Sequence, residues 1–168
     1  MFEAAIKEWL VLTSGVSDVK SAPYRGPRPD SPYATYQINA VAPMANGYKS
    51  TYNPTGSIDT RYTSAVMTVS VNVYADYGYR ALSGVLAAND WWEARQILAP
   101  AAMVFAQGGQ INTLTALGET DWRSRYQCDL TFHVDLTHDR VRYLINQWVL
   151  TGTWGDIEIT TNYTRTVP

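Results

Sequence analysis

Between Tyr62 and Tyr74, apolar and polar residues alternate almost without interruption. Successive residues of a β-strand point to opposite faces, so this segment predicts a strand with one apolar and one polar face. The apolar face requires a layer of helices over it, which restricts the chain to folds that pack helices on a sheet. The apolar positions are Ala65, Met67, Val69, Val71 and Val73, and the polar ones are Ser64, Thr68, Ser70 and Asn72.

Further strands are predicted on both sides of this segment. Residues 33–42 are rich in aromatic and β-branched types, which favour strands. Residues 111–117 are expected to form a strand after the pair Gly108-Gly109. Residues 125–135 alternate again and predict a half-buried strand. Their apolar positions are Tyr126, Cys128, Leu130, Phe132 and Val134.

Three segments show helical spacing instead. Residues 1–15 predict an amphipathic helix that lies on the sheet, because their large apolar residues recur on one helical stripe. Residues 79–86 predict a second helix. Asp90 followed three residues later by Glu93 predicts an N-terminal cap for a third helix, which ends before Pro100. The stripe of the first helix consists of Phe2, Ile6, Trp9 and Leu10.

The order of these elements predicts an α+β fold, a mainly antiparallel sheet with helices on one face. A chain of 168 residues is the size of one domain, so we expect a single domain over residues 1–168. Residues 23–32 hold four prolines and predict an extended connector. Residues 43–60 predict a long hairpin loop. Residues 139–168 form a C-terminal extension of one or two strands, bending at Gly152 and Gly155.

The composition excludes several classes of protein. The net charge is −2 and charged residues make up 17%, which argues against a stand-alone nucleic-acid binder. No apolar run is long enough to span a membrane. A single cysteine and the absence of a secretion signal indicate a reducing cytoplasm. Six Trp and twelve Tyr with few charges are typical of surfaces that become buried against partners.

Residues able to support catalysis are few. His133 and His138 do not have the spacing of two metal ligands on one helix, and no metal or cofactor is predicted. Cys128 lies on the apolar face of its strand, where a thiol is usually inert. No phosphate-binding loop or nucleophile elbow occurs. We therefore expect that the protein is not an enzyme. A hydrolase built on Cys128 with either histidine is the weakest of three hypotheses.

Aromatic residues outside the predicted core indicate contact surfaces. Adjacent helical positions point about 100° apart, so one of Trp91 and Trp92 is expected in the core and the other on the surface. Tyr48 and Tyr52 lie in the polar loop, with Tyr62 beside it. Tyrosines on a polar loop suit a protein contact, because they supply large area at low entropic cost.

The order of several short motifs resembles the neck/tail-terminator family of contractile- and long-tailed bacteriophages. In that family a first helix leads through a Pro-Arg-Pro connector to a Pro-Tyr-x-Thr strand. The matching motifs here are Ile6-Lys7-Glu8-Trp9-Leu10, Gly26-Pro27-Arg28-Pro29, Pro32-Tyr33-Ala34-Thr35, Val69-Ser70-Val71-Asn72-Val73-Tyr74 and Arg125-Tyr126-Gln127-Cys128-Asp129-Leu130-Thr131-Phe132. The resemblance spans about residues 1–135, and the C-terminal extension departs from it.

The resemblance implies a structural virion protein with a tail-terminator-like fold. Such a protein forms a homo-oligomeric ring, commonly of six copies, that ends the tail tube and joins it to the head connector in the neck. Its partners would be the tail tube protein, the tail sheath where one exists, and the connector. DNA would only pass through the lumen, no membrane would be involved, and assembly would take place in the host cytoplasm.

Ring or tube contacts are expected from the loop, the paired tryptophans and the C-terminal segment. The alternative is a monomeric module that binds a peptide or carbohydrate through an aromatic patch around Trp91 and Trp92. The expected contact residues are Tyr48, Lys49, Tyr52, Asp59, Arg61, Trp91, Trp92, Trp154, Ile157 and Ile159.

Overall fold

The computed structural model describes residues 2–27, 29–44, 49–53, 58–114, 116–117, 122–141, 147–154 and 157–164. Its helices are α1 (Phe2–Ser14), α2 (Gly78–Ala87) and α3 (Trp92–Leu98), with short 3-10 turns at Ala88–Asp90 and Ala99–Ala101. Its strands are β1 (Val19–Ser21), β2 (Tyr33–Pro43), β3 (Lys49–Asn53), β4 (Ile58–Tyr74), β5 (Met103–Gly108), β6 (Asn112–Thr113), β7 (Ala116–Leu117), β8 (Trp122–Arg123), β9 (Arg125–Val141), β10 (Gln147–Trp154) and β11 (Ile157–Thr164).

The main sheet has the strand order β1-β2-β4-β9-β5. In addition, β3 pairs with β4 and β6 pairs with β9. Strand β1 is parallel to β2. Strands β2 and β3 each pair antiparallel with β4, and strands β5 and β6 each pair antiparallel with β9. Two small antiparallel sheets, β7–β8 and β10–β11, complete the described strands. This mostly antiparallel sheet with three helices confirms the predicted α+β class.

The chain divides into two compact units. The first unit contains Met1–Gly47 and Thr63–Leu136, and the second contains Tyr48–Tyr62 and Thr137–Pro168. The core described here belongs to the first unit, and the β10–β11 hairpin belongs to the second. The organisation as a single domain stays a prediction, because compact units of one chain need not fold separately.

Helix α1 ends where its sequence supplies hydrogen-bonding side chains. The Thr13 hydroxyl donates to the Trp9 carbonyl at 2.8 Å. The Ser14 hydroxyl donates to the Leu10 carbonyl at 2.6 Å and accepts the backbone N–H of Val16 at 3.2 Å. Gly15 then has φ +69°, a left-handed conformation that glycine adopts without steric cost. The predicted helix over residues 1–15 is confirmed.

Helix α1 packs against both other helices and holds them over the sheet. Its contact with α2 depends on Gly84, since a Cβ there would lie 2.7 Å from the Thr13 carbonyl oxygen. The Tyr36 hydroxyl of β2 donates to the Glu3 carbonyl of α1 at 3.1 Å, and burial raises the pKa of this phenol. The helical layer is therefore joined to the sheet by a hydrogen bond as well as by apolar packing.

An aromatic cluster forms the centre of the core. The Trp9 ring of α1 lies 5.1 Å from the Phe105 ring of β5 and 5.4 Å from the Phe132 ring of β9, measured between centroids. The two phenylalanines are 5.6 Å apart. All three side chains are buried, with Trp9 only 1% exposed. One helix and two neighbouring strands thus meet in a single cluster. Its edge-to-face and tilted ring arrangements are favourable geometries for aromatic pairs.

The face of the main sheet opposite the helices is polar, and its side chains form hydrogen bonds with each other. Arg125 donates through Nε and Nη2 to the Asn72 Oδ1 at 3.1 and 2.9 Å. Gln127 donates to the Ser70 hydroxyl at 3.0 Å. The Ser64 hydroxyl donates to the Asp135 carboxylate at 2.7 Å. Residue numbers rise along β9 as they fall along β4 in these pairs, so the two strands run antiparallel.

Several expectations about single elements were wrong. The predicted loop over residues 43–60 contains β3, which pairs with the start of β4. A segment with few aliphatic residues still forms a strand when its backbone hydrogen-bonds to a neighbouring strand. Gly152 lies inside β10 opposite Ile159 instead of at a bend. Residue 155 lies outside the described residues.

The cap of the third helix also differs from the prediction. Trp91 occupies the N-cap position of α3 with φ −85° and ψ 122°, and it makes no side-chain capping hydrogen bond. Asp90 instead ends the preceding 3-10 turn. The helix ends at Leu98, before Pro100, as predicted. The strand expected over residues 111–117 is reduced to the two short strands β6 and β7.

Replacing Trp9 by alanine should destabilise the protein by about 3–5 kcal/mol, because it leaves a cavity among three elements that nothing else fills. The measurement is urea unfolding followed by circular dichroism. Leu12→Ala is the matched control, since Leu12 is on the same helix but 42% exposed. Its effect should stay within about 0.5 kcal/mol. Equal losses in the two variants would contradict the assignment of Trp9 to the centre of the core.

Candidate interaction surface

The cysteine and the two histidines, all among the described residues, do not come together as a catalytic group. Cys128 is fully buried on the helix-covered face of β9, and burial raises the pKa of its thiol. His133 is exposed on the same strand, an odd number of residues further along the chain. The two side chains therefore face opposite sides of the sheet and cannot act as nucleophile and base. His138 lies in the second unit and is exposed.

The polar groups near His133 have structural partners. The Nδ1 of His133 lies 3.3 Å from the Met44 sulfur, and the neighbouring Asp135 carboxylate accepts the hydrogen bond from Ser64. Among the described residues, no three His, Cys, Asp or Glu side chains are grouped so that they could hold a metal ion. Within the same part of the chain, no helix has the length and apolarity to cross a membrane.

A groove of about 490 Å³ opens in the first unit beside β5. Its floor is made by core side chains, including those of Trp9, Phe105 and Val134. The indole of Trp92, which is 68% exposed, lies at its rim. We call this cavity the β5 groove. Most of its lining is apolar, and the ionisable side chains that also line it are those of Arg95, His133 and Asp135.

The backbone at the start of β5 shapes this groove. Ala102 has φ 51° and ψ 45°, and its left-handed conformation turns the chain from the second 3-10 turn into β5. The backbone N–H of Asp135 donates to the Ala102 carbonyl at 3.0 Å, which fixes the turn to β9. On the other side, the Arg95 Nε donates to the Asn89 carbonyl at 2.8 Å. These bonds hold the two walls of the groove in place.

Exposed aromatic residues are concentrated on the second and third helices and the turns that precede them. Trp92 is 68% exposed and Tyr79 is 60% exposed, while Tyr77 and Trp91 are also exposed. The expectation that one of the paired tryptophans fills the core was therefore wrong. Trp91 is an extended N-cap residue, so the helical angle between neighbours does not apply to this pair. Both rings are available for contacts.

Two hairpins carry most of the other expected contact residues. In the β3–β4 hairpin, Tyr52 pairs with Asp59 and Ser50 pairs with Arg61, so these residues lie in one paired segment with Lys49. In the β10–β11 hairpin, Trp154 pairs with Ile157, and Ile159 follows in the same strand. Tyr48 lies outside the described residues. The role of these positions as contacts stays a prediction.

The sequence analysis missed β5, the strand on which the groove depends. Its signal was short: Met103 and Phe105 are buried and alternate with Val104, which is 61% exposed. This alternation follows directly on Pro100 and a turn, and six residues are few for a periodic pattern. The partner of Trp9 in β5 could not be found from sequence spacing, because the contact joins distant parts of the chain.

An α+β fold with exposed aromatic rings and well-satisfied polar groups has the features of a structural assembly protein. A family model described as phage neck terminator protein matches residues 2–165, nearly the whole chain. The chain therefore belongs to the phage neck terminator family, a family of structural proteins of the phage neck. No curated protein matches the sequence.

The buried thiol gives a test of the inert role of Cys128. In the native protein at mildly alkaline pH, Cys128 should resist iodoacetamide, because burial excludes the reagent and raises the thiol pKa. After denaturation it should react fully, as measured by mass spectrometry. Cys128→Ala should cost about 1 kcal/mol of stability. Rapid labelling of the native chain, or loss of function by a stable Cys128→Ala variant, would contradict this role.

Proposed function

We propose that this protein forms a closed ring of identical copies that ends the tail tube and joins it to the head connector. By the resemblance noted above, the ring has six copies. The tail tube protein, the sheath where one exists, and the connector are its partners, and DNA passes through its lumen. The protein is assembled in the host cytoplasm and remains in the neck of the virion.

The observation that carries this proposal is the exposed aromatic surface of a neck terminator family member. Trp91, Trp92, Tyr77 and Tyr79 place large apolar rings in solvent on one short stretch of the first unit. Tryptophan and tyrosine are the residues most enriched among those that dominate binding energy at protein interfaces. Burial of these rings between subunits would remove their apolar area from water and so favour association.

The low charge of the chain supports a role in DNA transit. With a net charge of −2, the protein has no general attraction for a polyanion. On the polar face of the sheet, two of the N–H groups of Arg125 already donate to the Asn72 amide oxygen, which leaves fewer of its donors for a phosphate. A ring that releases DNA at infection benefits from the absence of strong phosphate binding.

A second function is favoured by the β5 groove. An apolar cavity of about 490 Å³ with a tryptophan at its rim has the size of a small-ligand site. A monomeric module that binds a peptide or a carbohydrate would use such a site. The two functions differ in what Trp92 contacts, because in a ring it is covered by another subunit and in a binding module by a soluble ligand.

Replacing Trp92 by alanine should weaken self-association by about 30-fold, which corresponds to about 2 kcal/mol for an interface hot spot. Its stability should change by no more than about 0.5 kcal/mol, since the side chain is largely in solvent. Analytical ultracentrifugation of the full chain over a range of concentrations measures the association, with tail tubes added if the chain closes only on them.

Glu93→Ala is the matched control, because Glu93 is the next residue of α3 and is also exposed. It should associate as the unmodified chain does. If Trp92→Ala leaves both association and tail binding unchanged, the aromatic surface is not a ring contact. If the unmodified chain stays monomeric even on tail ends and binds a glycan or peptide, the binding-module function replaces the proposed one.

Deletion of residues 46–57 should abolish the joining of heads to tails. The deletion removes β3 from the second unit, together with three of the expected contact residues. Complementation of a phage that lacks the gene, with particles counted by negative-stain microscopy, is the measurement. Circular dichroism controls for folding, since the core of the first unit is untouched. Normal particles from the deletion variant would show that this hairpin makes no essential contact.

A further inference from the structure

The two edges of the main sheet are unequal. Strand β1, at one edge, has only three residues, carries Lys20 in an ion pair with Asp18 at 2.8 Å, and is followed closely by Pro23. Short length, charge and proline are the features that keep an edge strand from pairing with another chain. The β1 edge is therefore protected against strand addition.

Strand β5, at the other edge, has six residues, Met103–Gly108, without a charge or a proline. An irregularity in its pairing with β9, between Phe105 and Gln107, interrupts the second half of this edge, so its regular part is Met103–Phe105. Among the described residues, β5 pairs with β9 alone. The Val104 side chain is 61% exposed. A strand edge of this kind is a template for a further strand.

The β5 groove lies at the start of this strand. Val104 of the polar face and Phe105 of the helix-covered face both line it, as do Ala102 and, on β9, His133 and Asp135. A cavity can be lined from both faces of a strand only where it passes around an edge or an end of that strand. Strand-addition sites combine an edge whose backbone hydrogen bonds supply affinity with pockets that take up side chains.

The β10–β11 hairpin complements the β5 edge, because it offers a strand for addition. Its two strands pair with each other over eight residues, and among the described residues neither pairs with a third strand. An isolated two-stranded hairpin is marginally stable in water and gains stability from a third strand. Strand β10 has no charged residue, and its last residue is Trp154. Its addition to β5 would bury no unpaired charge.

We infer that β10 of one copy pairs with the β5 edge of the next copy. This inference rests on the proposed ring. One copy offers an edge and its neighbour offers a hairpin, so the contact is heterologous. A repeated heterologous contact closes a ring, with no copy left unpaired, when its rotation divides a full turn evenly.

Cysteine cross-linking in assembled tails tests this pairing. In a Cys128→Ala background, Val104→Cys is combined in turn with a cysteine at each of positions 147–154 of β10. Mild oxidation should yield a ladder of disulfide-linked copies on non-reducing gels. Successive strand residues point to opposite faces, so cross-linking should be strong at alternate positions and weak between them. A period of two would identify strand pairing and exclude a loose contact.

The matched control moves the first cysteine to Lys20, on the protected β1 edge, and should give no ladder. A ladder from Lys20, or an intrachain disulfide between Val104→Cys and β10, would overturn the inference. If tails contain the ring but no β10 position cross-links to Val104→Cys, strand addition is wrong and the ring remains. If tail ends carry no ring, the proposed function fails and the inference fails with it.

Val104→Lys is a second variant that separates folding from assembly. The side chain is exposed, so a lysine should leave the unfolding midpoint of the chain nearly unchanged. A charge on an edge strand opposes the addition of another strand, so rings should fail to close. Thr131→Lys, on the same polar face of the neighbouring strand β9, is the control and should assemble. Normal assembly of Val104→Lys would count against the β5 edge as the contact.

Discussion

Burial of one sheet face under α1 is the constraint from which the other features of the first unit follow. Trp9 contacts Phe105 and Phe132, so one helix fixes two neighbouring strands at once. Because this face is closed, only the polar face, the sheet edges and the outer side of the helices are left for contacts. The polar face is largely satisfied by its own hydrogen bonds, such as those between Arg125 and Asn72. The proposed contacts therefore rest on the edge strand β5 and on the exposed aromatic rings.

The same constraint separates the groups that could have supported catalysis. Alternation along β9 places Cys128 in the core and His133 in solvent, on opposite sides of the sheet. A strand that contributes one face to the core cannot also bring neighbouring residues together in one cleft. This arrangement fits membership of the phage neck terminator family, whose role is structural. In the proposed ring, the energy of apolar burial serves two purposes, folding within the chain and association between chains.

The sequence predicted the elements whose hydrophobic pattern repeats over many residues. It did not predict the strands that form only because a distant strand pairs with them. The alternation from Ala65 to Val73 and the stripe around Trp9 predicted β4 and α1, because each pattern is repeated over several turns or residues. Strands β3 and β5 were missed, since their short segments become strands only through hydrogen bonds to distant residues. Trp91 was misplaced because its extended backbone depends on the preceding 3-10 turn. The groove follows from these same contacts, so no local pattern predicted it.

The account depends on neighbouring copies meeting through the open edge of the main sheet. A cryo-electron microscopy reconstruction of the tail end in intact particles measures this most directly. It should show a closed ring in which a strand of the adjacent copy lies at hydrogen-bonding distance from β5, with Trp92 covered. A ring whose β5 edge faces solvent, or particles in which the chain is present as separate copies, would contradict the account.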